Sequence, residues 1–169
     1  ELVRPKVSDQ FDFEGEFAVV IGKPGRYIAK ENWKDYIAGY TIIMDGSIRD
    51  FQKRSVDQGK NFYHSSSSGP WLITMDEVPE DFRDMKLTTR LNGKVMQASD
   101  LGKLCFDVSD LISYYSQIFY FQPGDMIATG TPGGVGSRRD PPVWMKPGDE
   151  LEVEITGIGI LKNTVVGEN

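Results

Sequence analysis

The stretch Asp12-Phe13-Glu14-Gly15-Glu16-Phe17-Ala18-Val19-Val20-Ile21-Gly22 decides how the rest of the chain is read. Taken as a strand, its alternation puts Phe13, Phe17 and Val19 on one face and Asp12, Glu14, Glu16 and Ala18 on the other. Neighbours on one strand face lie about 6.5–7 Å apart, and like charges at that spacing repel. The run Phe17–Ile21 is too apolar for a solvated edge, so the acids are expected against a core. A cation would remove the repulsion. Glu14 and Glu16 are long enough to converge on one ion, and all-carboxylate ligation selects a hard metal, Mg2+, Mn2+ or Ca2+, over zinc. The other reading is an acidic face turned to solvent, because charged side chains are mostly exposed. The stretch alone leaves both open.

The 169 residues suit one domain with its own core. A net charge of −6 and a pI near 4.8, with no basic stripe, argue against a nucleic-acid partner. No apolar run approaches the roughly 20 residues that span a bilayer, so no membrane partner is expected, and no signal-peptide pattern is read at the N-terminus. The single cysteine, Cys105, excludes an internal disulfide and fits a reducing compartment, the cytoplasm or, in a eukaryote, the mitochondrial matrix. Beside Leu104 and Phe106 it is expected as a buried packing thiol rather than a nucleophile. The chain opens without Met and directly into core-like sequence, as a fragment of a longer protein would.

Outward from the acidic stretch, Gly22-Lys23-Pro24-Gly25 signals a turn before a short strand at Arg26–Ile28. Lys30–Ala38 reads as a short helix with Trp33, Tyr36 and Ile37 on one face and Gly39 as its stop. The apolar run Tyr40–Met44 delivers Asp45 at its end, and Ser47–Ser55 carries Arg49 and Gln52 on one face of a helical turn. Gln58–Gly69 reads as a polar loop holding the only histidine, His64, Trp71–Thr74 as a strand, and Asp76–Phe82 as a loop or helical turn. Lys86–Leu91 and Lys94–Gln97 flank Asn92-Gly93, a type I′ hairpin signal. The clearest helix is Val108–Tyr120, apolar at Val108, Leu111, Ile112, Tyr115, Ile118 and Phe119, with Asp107 as N-cap. Pro123-Gly124-Asp125 then starts a strand at Met126–Thr129, and Gly130–Gly136 is a glycine-rich loop. Lys146-Pro147-Gly148-Asp149 repeats the turn before strands at Leu151–Ile155 and Gly159–Val166. One main helix and short helical turns among many strands give an α+β domain, predominantly β, with no internal boundary.

Several of these stretches occur together and in order: Asp12–Gly22, Ala38-Gly39-Tyr40-Thr41, Asp45–Gln52, Gly59-Lys60-Asn61-Phe62, Gly69-Pro70-Trp71, Asn92-Gly93, Pro123–Gly136 and Lys146–Val166. Over nearly the whole chain they resemble the C-terminal catalytic domain of the fumarylacetoacetate hydrolase family. Its most specific element is Gly-Asp-x-Ile-Ala-Thr-Gly-Thr-Pro-x-Gly-Val-Gly, here Gly124–Gly136. The resemblance implies a rolled, mixed β-sandwich and a homodimer. It implies Glu14, Glu16 and Asp45 as ligands of one Mg2+ or Mn2+, with Asp12 left outside the ligand set. It assigns Lys60 to the neighbourhood of those carboxylates, Arg49 and Gln52 to the substrate, and Thr131 with the amides of Gly130–Gly134 to a substrate carboxylate. Such loops suit anions because glycine lets N–H groups approach closely.

The implied substrate is a small 2-oxo or β-diketo acid. The implied activity is cleavage of a C–C bond in an acylpyruvate through a metal-stabilised enolate. A 2-hydroxydienedioate isomerase or an oxaloacetate-type decarboxylase would use the same residues, and a silent metal- or ligand-binding homologue would keep the pocket without turnover. Two departures from the family pattern stand out. No His/Glu pair for water activation lies upstream of the acidic stretch, and His64, which is not its positional equivalent, is carried as a substrate-facing candidate. The interval from Arg49 to Lys60 is also a couple of residues shorter than usual.

Overall fold

A computed structural model describes residues 1–78 and 81–169. Residues 79 and 80, inside the expected Asp76–Phe82 segment, lie outside the described residues. In chain order the strands are β1 (Leu2–Arg4), β2 (Phe11–Asp12), β3 (Gly15–Ile21), β4 (Ile37–Met44), β5 (Ser47–Ile48), β6 (Ser67–Thr74), β7 (Lys86–Leu91), β8 (Lys94–Asp100), β9 (Met126–Ala128), β10 (Glu150–Ile155) and β11 (Gly159–Gly167). The helices are α1 (Arg49–Gln52), α2 (Val56–Lys60) and α3 (Val108–Ile118), with 3-10 turns between elements. The α+β, predominantly β reading therefore holds.

The strands make one five-stranded sheet, β1-β11-β10-β7-β8, one four-stranded sheet, β6-β4-β3-β9, and a two-stranded pair, β2-β5. Among the described residues all pairings are antiparallel except β1 with β11, which makes the larger sheet mixed. The two large sheets meet at close quarters. A methyl group at Gly15 would stand 2.2 Å from Thr89 Oγ1 and 2.9 Å from Val153 Cγ1, so only glycine lets β3 pass under β7 and β10. Phe17, two residues on, stacks on Phe82 and packs on Tyr40. Phe13, Phe17, Val19, Ile42, Met44, Leu151 and Val153 are all fully buried in this core, each worth about 1.5–3 kcal/mol of burial.

Several elements differ from the sequence expectation, each for a local reason. The acidic stretch is two strands, broken at Phe13–Glu14 where pairing passes from β5 to β4. Arg26–Ile28 is not a strand: Tyr27 takes a positive φ of 53° and the Tyr27 and Ile28 N–H groups are held by Ser116. The Lys30–Ala38 helix is a 3-10 turn over Lys30–Tyr36. Gly39 does not stop it. Gly39 lies inside β4, where a Cβ would meet the Ile73 carbonyl oxygen at 1.8 Å, so the close approach of β6 explains that glycine. The polar stretch Gln58–Gly69 splits between α2, a turn and the start of β6.

Helix α3 ends at Ile118, two residues early, and leaves Ile118 and Phe119 exposed rather than packed. Asp107 stands at its N-cap position without a capping bond, because its carboxylate is drawn to Arg83 instead. Cys105 is exposed, not buried. The hairpin holds, with Asn92 and Gly93 at φ 51° and 77°, and so do both Pro-Gly-Asp turns, in which Asp125 and Asp149 accept from the Gln122 and Lys146 N–H groups.

Candidate active site

The carboxylates at and just before the start of β3 are not a solvated face. Asp12, Glu14 and Glu16 are 0%, 9% and 5% exposed. They are covered by α1, α2 and the loop after β9, which supply Arg49, Lys60 and Gly130 as partners. Asp45 joins them because β4 runs antiparallel to β3 and ends opposite Gly15, with the Asp45 N–H bonded to the Glu14 carbonyl at 2.9 Å. Ligand oxygens of Glu14, Glu16 and Asp45 all lie within 4.8 Å of one another. Opposite oxygens on an octahedral ion stand about 4.2 Å apart for Mg2+ and about 4.8 Å for Ca2+. The donor set and its span therefore fit one hard divalent cation.

Two cations of the chain enter the same cluster. Lys60 Nζ is bonded to both Glu14 and Asp45, so the short interval from Arg49 still delivers it, through the α1–α2 turn. Arg49 reaches Glu14 Oε1 at 2.6 Å and Asp12 Oδ2 at 2.7 Å, and donates to Gln52 Oε1 at 2.9 Å. Glu16 has no such partner among the described residues and accepts only the Gly130 N–H, at 2.8 Å. Burial, with the charges of Asp45 and Glu14 adding, pushes its carboxyl up to about 7 despite that bond. Burial also raises Asp45, against the pull of Lys60. For Lys60 and Arg49 burial works downward, but the carboxylates outweigh it and both are raised. A buried carboxyl with so little compensation is a group that gains from a cation.

A cleft beside the cluster is lined by Glu14, Arg49, Gln52, Thr131, Gly133 and Arg138, among others. It brings together the expected metal ligand Glu14 with the expected substrate residues Arg49, Gln52 and Thr131. Gly130 joins through its bond to Glu16. His64 does not join: it is exposed, at φ 47°, with its ring against Tyr63 and its carbonyl accepting from the Val3 N–H.

Two residues of the site were not assigned from sequence. Asp12 accepts four bonds, from Arg49 Nε and from the N–H groups of Phe13, Gly136 and Ser137 at 2.7–2.9 Å. It anchors the far end of the glycine loop and lies outside the ligand triad. Gln97, 1% exposed, accepts from the Gly15 N–H at 3.1 Å and donates to Thr131 Oγ1 and the Pro132 carbonyl, both at 2.8 Å. A β-bulge opposite Thr89–Arg90 turns both Met96 and Gln97 inward. The signal for Asp12 was its place in the acidic stretch; a bulge leaves no mark in the residue pattern.

Residues 1–166 match the family model described as fumarylacetoacetate (FAA) hydrolase C-terminal. The mitochondrial oxaloacetate tautomerase Fahd2a of Rattus norvegicus is 41% identical over 168 residues, 98% of this chain and 53% of the relative. The fumarylacetoacetate hydrolase of psychrophilic Exiguobacterium antarcticum superposes with a TM-score of 0.93 at 36% identity, over 99% of this chain and 61% of that one. Maleylpyruvate hydrolase of Sphingobium sp. SYK-6, solved with manganese(II) and pyruvate, has a TM-score of 0.87 at 32% identity, over 99% and 59%. The chain spans about half the length of the curated relatives it matches. With the family model covering the chain from its first residue to Val166, and with the triad, the loop and the sheets in agreement, this chain belongs to the fumarylacetoacetate hydrolase family.

Proposed function

We propose that this chain forms the metal-binding part of an enzyme that generates an enolate from a small 2-oxo acid. The observation that carries the reading is the buried triad of Glu14, Glu16 and Asp45, with Glu16 short of a cationic partner, beside a cleft lined by arginine. Glu14, Glu16 and Asp45 would hold the ion, Mg2+ or Mn2+. When bound, it supplies the Lewis acidity that stabilises negative charge developing on a 2-oxo acid.

The chain's own residues do the rest. Arg49 and Arg138 offer planar donors for a carboxylate at the mouth of the cleft. The N–H groups of Thr131, Gly133 and Gly134 meet no acceptor among the described residues and point to the same role. Lys60, kept charged between two carboxylates, can deliver a proton to the enolate carbon and, as the neutral amine, take up the proton of the enol hydroxyl. A keto–enol shift needs no more than this, and the similarity to proteins named oxaloacetate tautomerase supports it. Hydrolytic cleavage of an acylpyruvate is the second reading, supported by the likeness to a maleylpyruvate hydrolase holding manganese and pyruvate. Decarboxylation of oxaloacetate passes through the same enolate.

The test is turnover of oxaloacetate and acetylpyruvate by the full-length protein with Mg2+ or Mn2+, after chelation, and in Glu14→Ala. Enol–keto exchange, pyruvate release and acetate release are followed separately. Metal-dependent exchange lost in the variant is the expected result. Acetate release instead would select hydrolysis, and metal bound without turnover of either substrate would sink the enzyme reading in favour of a silent binder.

A further inference from the structure

The amide of Gln97 can face only one way. Gly15 N–H is a donor, so Oε1 must meet it; the Pro132 carbonyl is an acceptor, so Nε2 must meet that. The second Nε2 hydrogen then goes to Thr131 Oγ1, which is therefore an acceptor toward Gln97. Thr131 has one hydroxyl hydrogen, and 2.9 Å away lies the Gly15 carbonyl, which can only accept. The hydroxyl is spent in this direction. What remains free on Thr131 Oγ1 is a lone pair, which repels a carboxylate.

We propose that Gln97 is a positioning residue and that Thr131 acts through it, so that the loop meets an anionic substrate with backbone N–H groups and not with the Thr131 hydroxyl. Four bonds tie Gly15, the hinge between Glu14 and Glu16, to the loop at Thr131 and Pro132. The distance between the cation ligands and the substrate-binding amides is thereby held by two uncharged side chains. The inference deepens the enolate reading and rests on it only for the substrate.

The test compares Gln97→Met, Thr131→Val, Thr131→Ser and the Gln97→Met/Thr131→Val double variant in the full-length protein. Three readouts are used: the KM and kcat for oxaloacetate or acetylpyruvate, whichever is turned over, binding of pyruvate to the Mn2+-loaded protein, and amide hydrogen exchange of residues 130–135. Gln97→Met and Thr131→Val should each raise exchange in the loop and raise KM about tenfold more than they lower kcat. Their effects should not add in the double variant, and Thr131→Ser should restore all three readouts.

The idea is overturned if Thr131→Val impairs pyruvate binding while Gln97→Met does not, or if the two effects add, since a hydroxyl that donates to substrate directly needs no help from Gln97. It is also overturned if loop exchange is unchanged in both variants. Failure of the wild type to bind pyruvate at all breaks the enolate reading alone, because the exchange result still decides the clamp.

Discussion

Two strands of this chain carry the same pattern of acids: Asp12, Glu14 and Glu16 around β3, and Glu150, Glu152 and Glu154 in β10. Their apolar faces meet, with Val153 against Gly15, so the acids point to opposite outer faces of the sandwich. On β10 the outer face stays half open. Glu154 pairs with Arg90 at 2.7 Å, and Lys162 reaches Glu150 at 2.7 Å and Glu152 at 3.3 Å, each from a neighbouring strand. On β3 the outer face is closed over by α1, α2 and the glycine loop, and Asp45 is added to it. Alternating acids therefore do not define a metal site. A site arises where something covers the charged face and brings a further carboxylate.

The largest expected effect tests that contrast. Glu16→Ala or Asp45→Ala should lower Mn2+ affinity by more than about 100-fold by calorimetry, as removal of one of three charged ligands implies. Glu152→Ala should leave it unchanged. Loss in Glu152→Ala with none in Glu16→Ala or Asp45→Ala would mean that the outer face of β10 binds the ion instead.

Next comes the shared wall. Gly15→Ala drives a methyl into Thr89 Oγ1 and Val153, and should cost about 1–3 kcal/mol in chemical denaturation as overpacking does. A cost near zero would show that the two sheets can separate at this point.

The pH dependence separates the faces further. Glu16 is raised from 4.5 to about 7 in the metal-free fold, so between those values the folded chain holds a proton that the unfolded chain has released. Its contribution to metal-free stability is complete below about pH 4.5 and is lost as pH rises through 7, a span of roughly 3 kcal/mol. Cation binding needs the carboxylate, so Mn2+ affinity should rise up to about tenfold per pH unit below 7 and level off above it. Glu152→Gln should leave that profile in place, and Glu16→Gln should abolish both trends. The smallest effect belongs to β10: Arg90→Ala should cost about 0.2–1 kcal/mol, less in high salt.

Much of the candidate site was legible before the fold was known. Glu14, Glu16, Asp45, Arg49, Gln52 and Lys60 were all named from local patterns and the family resemblance, and all six lie at or beside one cluster. They were legible because the elements that carry them are short and consecutive. Where the reading slipped, two strands came closer than the pattern could tell, as at Gly39, or a backbone torsion changed sign, as at Tyr27. His64 was carried as a loop residue after Gly-Lys-Asn-Phe that could face the site, and in its exposed turn it does not line the cleft.

Composition and periodicity were enough for the β-rich class, the hairpin at Asn92-Gly93, the main helix and the acids that need company, because each of these depends on residues within a few positions of one another. The tertiary structure alone decided that the acids of β3 are buried while those of β10 are not, that Asp12 secures the loop, and that a bulge turns Gln97 inward to Thr131. Those outcomes depend on contacts between residues far apart in the chain, 34 positions for Gln97 and Thr131 and 124 for Asp12 and Gly136, and only the folded arrangement of helices, loop and strands selects them.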